Sequence, residues 1–205
     1  MRFFFAFGAL LGWGALVIQF YFAMANRATD LTEAVVRYFS YFTILCNGLA
    51  ATAFTVLLLK PMSLGARFFG RPSTLTAIAL YLLVVGLVYN VILRSLWNPQ
   101  GLEMIADETL HSAMPALLLV FWAIFLSGEK LPWKVIPGWM VFPLVYCIYC
   151  LFRGAMVGYY PYPFLDVGTH GYKQVFVNIG GMIALFFVLA ILLVGVSRLL
   201  RKGEK

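Results

Sequence analysis

Residues 73–93 read STLTAIALYLLVVGLVYNVIL, 21 residues without a charge. Coiled as an α-helix at ~1.5 Å per residue, such a run covers about 30 Å, the thickness of a bilayer's hydrocarbon core. In lipid every backbone N–H and C=O must be satisfied within the protein, which only helices and closed barrels achieve. The run is too continuous for the alternating strand of a barrel, so it reads as a transmembrane helix. Five further stretches of the same kind flank it, at 3–25, 38–59, 109–127, 136–152 and 174–197. Lys60-Pro61, Asn98-Pro99 and Pro132 mark breaks between them. The expected fold is an all-α, six-helix transmembrane bundle forming a single domain over residues 1–205, with no soluble module and no internal repeat.

Composition agrees. The chain is 63% hydrophobic and 11% charged, too apolar to present a surface to water. Its net charge of +7 would suggest nucleic acid in a soluble protein. Here the basic residues sit at the ends of apolar runs, as membrane topology demands, so nucleic acid is not an expected partner. Arg2, a long apolar run and Ala23-Met24-Ala25 resemble a signal peptide, but the run is longer than the ~7–15 residues of a signal h-region and reads as the first span. Cys46, Cys147 and Cys150 all lie in apolar segments and form no disulfide framework. Two histidines without an HExxH or paired CxxC motif provide no familiar zinc site, and no metal or organic cofactor is implied.

Orientation follows from Lys and Arg. Ten of the fifteen fall on one side: Arg2, Lys60, Arg67, Arg71, Lys130, Lys134, Arg198, Arg201, Lys202 and Lys205. Arg27, Arg37, Arg94, Arg153 and Lys173 fall on the other, with six of the eight acids. The positive-inside rule then makes both termini cytoplasmic.

Polar residues within spans are costly and mark function by default. Ser40, Thr43 and Asn47 share one face of the second span, which Asp30-Leu-Thr-Glu33 is expected to cap from outside the membrane proper. Asn90 and Arg94 are one turn apart on the third. Tyr146, Tyr149 and Arg153 share a face of the fifth, and Gln174 and Asn178 one of the sixth. His111 and Ser112 open the fourth, and Gln19 lies late in the first. All fall toward the outer ends of their spans; counting from Arg37, Thr43 is about 9 Å deep. Interhelical hydrogen bonding would account for any one of them. As a set they suggest a shared cavity open to the outer leaflet.

His111 follows Asp107 and Glu108 by one turn, and either could orient its ring. Pro115 crowds the His111 carbonyl and frees it from helix bonding. An imidazole is the usual base near neutral pH, although a histidine at a helix end is often only a surface residue. Ser112 is adjacent to His111 and points away from it, which leaves Thr43 as the better candidate nucleophile. Asn47, Asn90, Arg94 and the tyrosines are candidate oxyanion donors.

Four segments carry a resemblance. Arg37-Tyr-Phe-Ser-Tyr-Phe-Thr43-Ile-Leu-Cys-Asn47, Val88-Tyr-Asn90-Val-Ile-Leu-Arg94, Asp107-Glu-Thr-Leu-His111-Ser-Ala-Met-Pro115, and Arg153-Gly154 followed by Tyr160-Pro-Tyr-Pro-Phe-Leu-Asp166 resemble, in this order, a bacterial family of predicted six-span membrane proteins. That family looks distantly similar to the animal androgen-induced membrane proteins, intramembrane hydrolases that cleave fatty acid esters of hydroxy fatty acids with a threonine and a histidine. The resemblance implies Thr43 as nucleophile and His111 as its partner. The chain departs from the family pattern at Phe121-Trp122, where an acid often precedes the tryptophan.

The expectation is therefore a lipid ester hydrolase whose substrate diffuses in from the bilayer. Its 19 Phe and 5 Trp would line an acyl tunnel, or simply face lipid and the interfaces. The Tyr159–Asp166 loop would be a lid, or a rigid turn joining two spans. The same polar residues would also suit a transporter or a lipid- or small-solute-binding protein, though internal repeats and midplane breaks are not seen. A non-catalytic scaffold is the third reading.

Overall fold

The computed structural model describes residues 1–200; Arg201, Lys202 and Lys205 of the basic tail lie outside the described residues. The described chain is helical without a strand, and six of its helices are long and apolar enough to cross a membrane. They are α1 (Arg2–Ala25), α3 (Phe42–Leu59), α5 (Pro72–Val88, running on through further turns to Leu96), the pair α6 (Gly101–Glu108) and α7 (Met114–Phe125), α8 (Ile136–Val157) and α9 (Val167–Leu199). Two short helices, α2 (Leu31–Phe39) and α4 (Leu64–Phe69), lie between them.

Helix α5 is the axis of the bundle. Its most apolar stretch is 67% buried, against 28–50% for the others, and it packs on α3, α7 and α9. Elsewhere α1 packs along α3, and α8 pairs with α9. One end of the bundle is tied by tryptophans, with Trp122 Nε1 donating to Thr76 at 3.1 Å and Trp139 Nε1 to Ser73 at 3.2 Å.

Most of the polar residues gather at the opposite end, where helix geometry is irregular. The second span is not one helix from residue 38. Asp30 caps α2 by accepting from Glu33 N at 3.0 Å, and α2 then stops at Ser40. Ser40 Oγ donates back to the Val36 carbonyl at 2.7 Å, while the Ser40 carbonyl accepts from Tyr146 Oη at 2.8 Å. A side chain competing for helix carbonyls favours termination, and α3 restarts at Phe42 with Tyr41 extended. Ser40 therefore does not share a helix face with Thr43 and Asn47, contrary to the expectation from spacing. Two π-helical turns follow, at Tyr89–Leu93 and Thr109–Ala113. The second contains His111, whose carbonyl Pro115 is expected to free from helix bonding, and ends just before that proline. Helix α9 breaks at Gly171, whose φ of 72° suits glycine.

Candidate active site

The α2–α3 break puts Thr43 in the first turn of α3, where backbone N–H groups lack helical acceptors. The Thr43 N–H donates to Tyr162 Oη at 3.3 Å, and the same phenol lies 3.4 Å from Thr43 Oγ1. On its other side Thr43 Oγ1 is 3.3 Å from His111 Nε2. The imidazole Nδ1 faces two acceptors, the Asp107 carbonyl at 2.9 Å and its carboxylate at 3.2 Å. Acceptors on that side require Nδ1 to carry the proton, which leaves Nε2 with a lone pair toward the threonine. Of the two acids before His111, Asp107 is the one that meets the ring. Glu108 turns away to Arg94 and to Ser112, whose hydroxyl donates at 2.9 Å.

Thr43 and His111 form the shared wall of two spaces. An apolar slot of about 60 Å³ opens toward Val84, Val88, Tyr146, Ile179 and Phe186. A vestibule of about 490 Å³ lies on the other side, lined by Gln19, Arg27, Arg37, Glu103 and Asp107 among others. Thr43 is 6% exposed and lines both spaces.

The remaining candidates surround the pair without facing its hydroxyl. Asn47, fully buried, donates to the Thr43 carbonyl at 2.9 Å and the Leu110 carbonyl at 3.1 Å, joining α3 to the second π turn. Asn90 donates to the Gly86 carbonyl at 2.8 Å and the His111 carbonyl at 3.4 Å, and accepts from Arg94 at 2.6 Å. Asn47, Asn90 and Arg94 thus brace the elements that hold the dyad, and the donors beside Thr43 Oγ1 are its own N–H and Tyr162. Tyr146 lines the slot, and Tyr149 bonds Ser40 Oγ at 2.7 Å. Asn178 donates to the Phe164 carbonyl at 2.9 Å while accepting from Gln174.

Asn178 thereby holds the loop that carries Tyr162, which has further anchors. Tyr160 lies flat on Gly154, where a Cβ would come within 2.0 Å of its ring. Arg153 and Arg37 each reach Glu33 Oε1 at 2.7 Å, and both guanidiniums stack on Tyr159, whose hydroxyl donates to Tyr41 at 2.9 Å. Hydrogen bonds from Arg37 and Arg153 hold the Glu33 carboxyl below its ordinary range. Burial pushes the Tyr162 phenol up, so that it stays a neutral hydrogen-bond donor. Tyr162 was not among the candidates read from sequence. The one signal was the density of proline and aromatic residues from Tyr159 to Asp166, which marks an ordered loop without selecting a residue.

Comparisons with protein-family models, with characterised proteins and with solved structures find no match.

Proposed function

We propose that the chain is an intramembrane hydrolase of lipid esters, of the fatty-acid-ester-of-hydroxy-fatty-acid type, with Thr43 as nucleophile and His111 as base. One observation carries the reading: a threonine hydroxyl 3.3 Å from a histidine nitrogen whose partner nitrogen is occupied by acceptors, at the boundary of an apolar slot and a wider vestibule of mixed polar and apolar lining. The apolar lining of the slot suits the first carbons of an acyl chain, and the vestibule suits the alcohol portion and water.

His111 Nε2 takes the Thr43 proton as Oγ1 bonds to the ester carbonyl carbon. The oxyanion is received by the Thr43 N–H and the Tyr162 O–H, with the positive end of the α3 dipole behind them. The intermediate collapses, the C–O bond to the alcohol breaks, and His111 protonates the leaving oxygen. Water from the vestibule then gives a proton to His111 and attacks the acyl-threonine, and Thr43 leaves with its proton restored. By the positive-inside rule the site opens to the outer leaflet of a bacterial inner membrane, with both termini cytoplasmic.

The test is turnover of branched fatty esters and p-nitrophenyl acyl esters by purified protein in detergent. Thr43→Ala and His111→Ala should each lower kcat by at least about 10³-fold, because members of a catalytic unit fail together. Turnover retained by folded Thr43→Ala refutes the mechanism. No wild-type turnover on any ester, with lipid still held in the cavity, moves the assignment to the binding or transport reading.

A further inference from the structure

Beside His111 lie two buried polar groups, Asp107 and Tyr89, that the reaction above does not use. The Asp107 carboxylate is 3% exposed, and an uncompensated charge there would be strongly disfavoured. Its nearest cations do not serve it, since Arg94 goes to Glu108 and Asn90. Its partners are His111 Nδ1 at 3.2 Å from one oxygen, and the Tyr89 hydroxyl, which donates to the other. The Tyr89 ring also lies flat on the imidazole, with centroids 3.9 Å apart and planes 14° from parallel.

This arrangement is assembled from two elements. Tyr89 opens the π turn at the end of α5, and His111 lies within the π turn after α6. The two meet because Gly86 lets α5 approach closely: a Cβ there would stand 3.1 Å from Pro115 and 3.2 Å from the His111 carbonyl. Wide turns of this kind recur at functional sites.

We infer that Asp107 and Tyr89 are positioning residues, which lock His111 in its Nδ1–H form with Nε2 aimed at Thr43 and stabilise the imidazolium formed during attack. Asp107 acts by its charge and does not itself take up the proton. Tyr89 orients the carboxylate through its hydroxyl and offers its ring face to the cationic imidazole. The kinetic part rests on the hydrolase reading; the tautomer lock does not.

The experiment uses full-length protein with ¹⁵N-labelled histidine. His170 is the only other histidine, and His170→Gln leaves a single imidazole to observe. Nitrogen shifts should report Nδ1–H with a free Nε2. Asp107→Asn removes the charge but keeps the Asp107 carbonyl 2.9 Å from Nδ1; it should shift part of the imidazole to the Nε2–H form and lower kcat roughly 10³–10⁴-fold at unchanged KM, with Asp107→Glu recovering part of the rate. Tyr89→Phe, which keeps the stack, should keep the tautomer and lose about tenfold in kcat; it carries the test if Asp107→Asn fails to fold. An unchanged tautomer and near-wild-type kcat in folded Asp107→Asn, or an unchanged kcat in Tyr89→Phe, overturns the assignment. If the wild type turns over no ester, the hydrolase reading fails, and the nitrogen shifts still decide the lock.

Discussion

A threonine hydroxyl in water is a poor nucleophile, and Thr43 is set apart by what surrounds it within one hydrogen bond. Its oxygen lies between a phenol at 3.4 Å and an imidazole nitrogen at 3.3 Å, and its own N–H, which the first helical turn leaves without a backbone acceptor, donates to that phenol. A helix interior would have committed that N–H to the preceding turn. In the proposed reaction Tyr162 is the one donor to the developing charge that is not backbone. Tyr162→Phe keeps the ring that stacks on Phe164 and meets Tyr41 edge-on, and removes only the hydroxyl. Its kcat should fall about 10²-fold with KM nearly unchanged, the behaviour of an interaction made chiefly in the transition state. Steady-state kinetics on one ester decides this, and a rise in KM alone would assign the phenol to substrate binding.

At the scale of elements, the site depends on interruptions in helices. Had the second span run unbroken from residue 38, Thr43 would sit in mid-helix with its N–H committed to a backbone carbonyl instead of to Tyr162. The break holds because Ser40, Tyr146 and Tyr149 satisfy one another there. Helix α2 is then tied to the end of α8 through Glu33, shared by Arg37 and Arg153. The Glu33 carboxyl is held below its ordinary range by those two bonds. A depressed folded-state pKa contributes stability that is complete above the unfolded value and is lost as pH falls through the folded one. Melting of wild type and Glu33→Gln in detergent should therefore differ most at neutral pH. The gap should close below about pH 4.3, the ordinary glutamate value. A gap that does not change with pH would mean that Glu33 acts by packing and not by charge.

For the whole molecule, membrane and fold set different constraints. Six antiparallel crossings bring the ends of α1, α5 and α8 and the starts of α3, α6 and α9 to one face, where the dyad, vestibule and loop lie. If that face is the outer one, a membrane-impermeant thiol reagent on intact cells should label Asn98→Cys and not Ser63→Cys, both in a background free of native cysteine. The opposite pattern would invert the bundle and move the site to the cytoplasmic leaflet. The spans were legible in sequence because the hydrocarbon layer demands only length and apolarity, both local quantities. The clustering of polar residues toward one end was legible for the same reason, since depth follows from counting along a helix of known rise. Sequence could place Thr43 and His111 at one depth, but whether they meet depends on how α3 packs against the π turn between α6 and α7. Tertiary structure alone selected Asp107 over Glu108, converted Asn47, Asn90 and Arg94 from expected oxyanion donors into braces, and brought in Tyr162 from 119 residues beyond Thr43. Those outcomes turn on a helix break and two π turns, where the backbone takes the register that its distant neighbours can satisfy, and no local pattern of apolar residues records that choice.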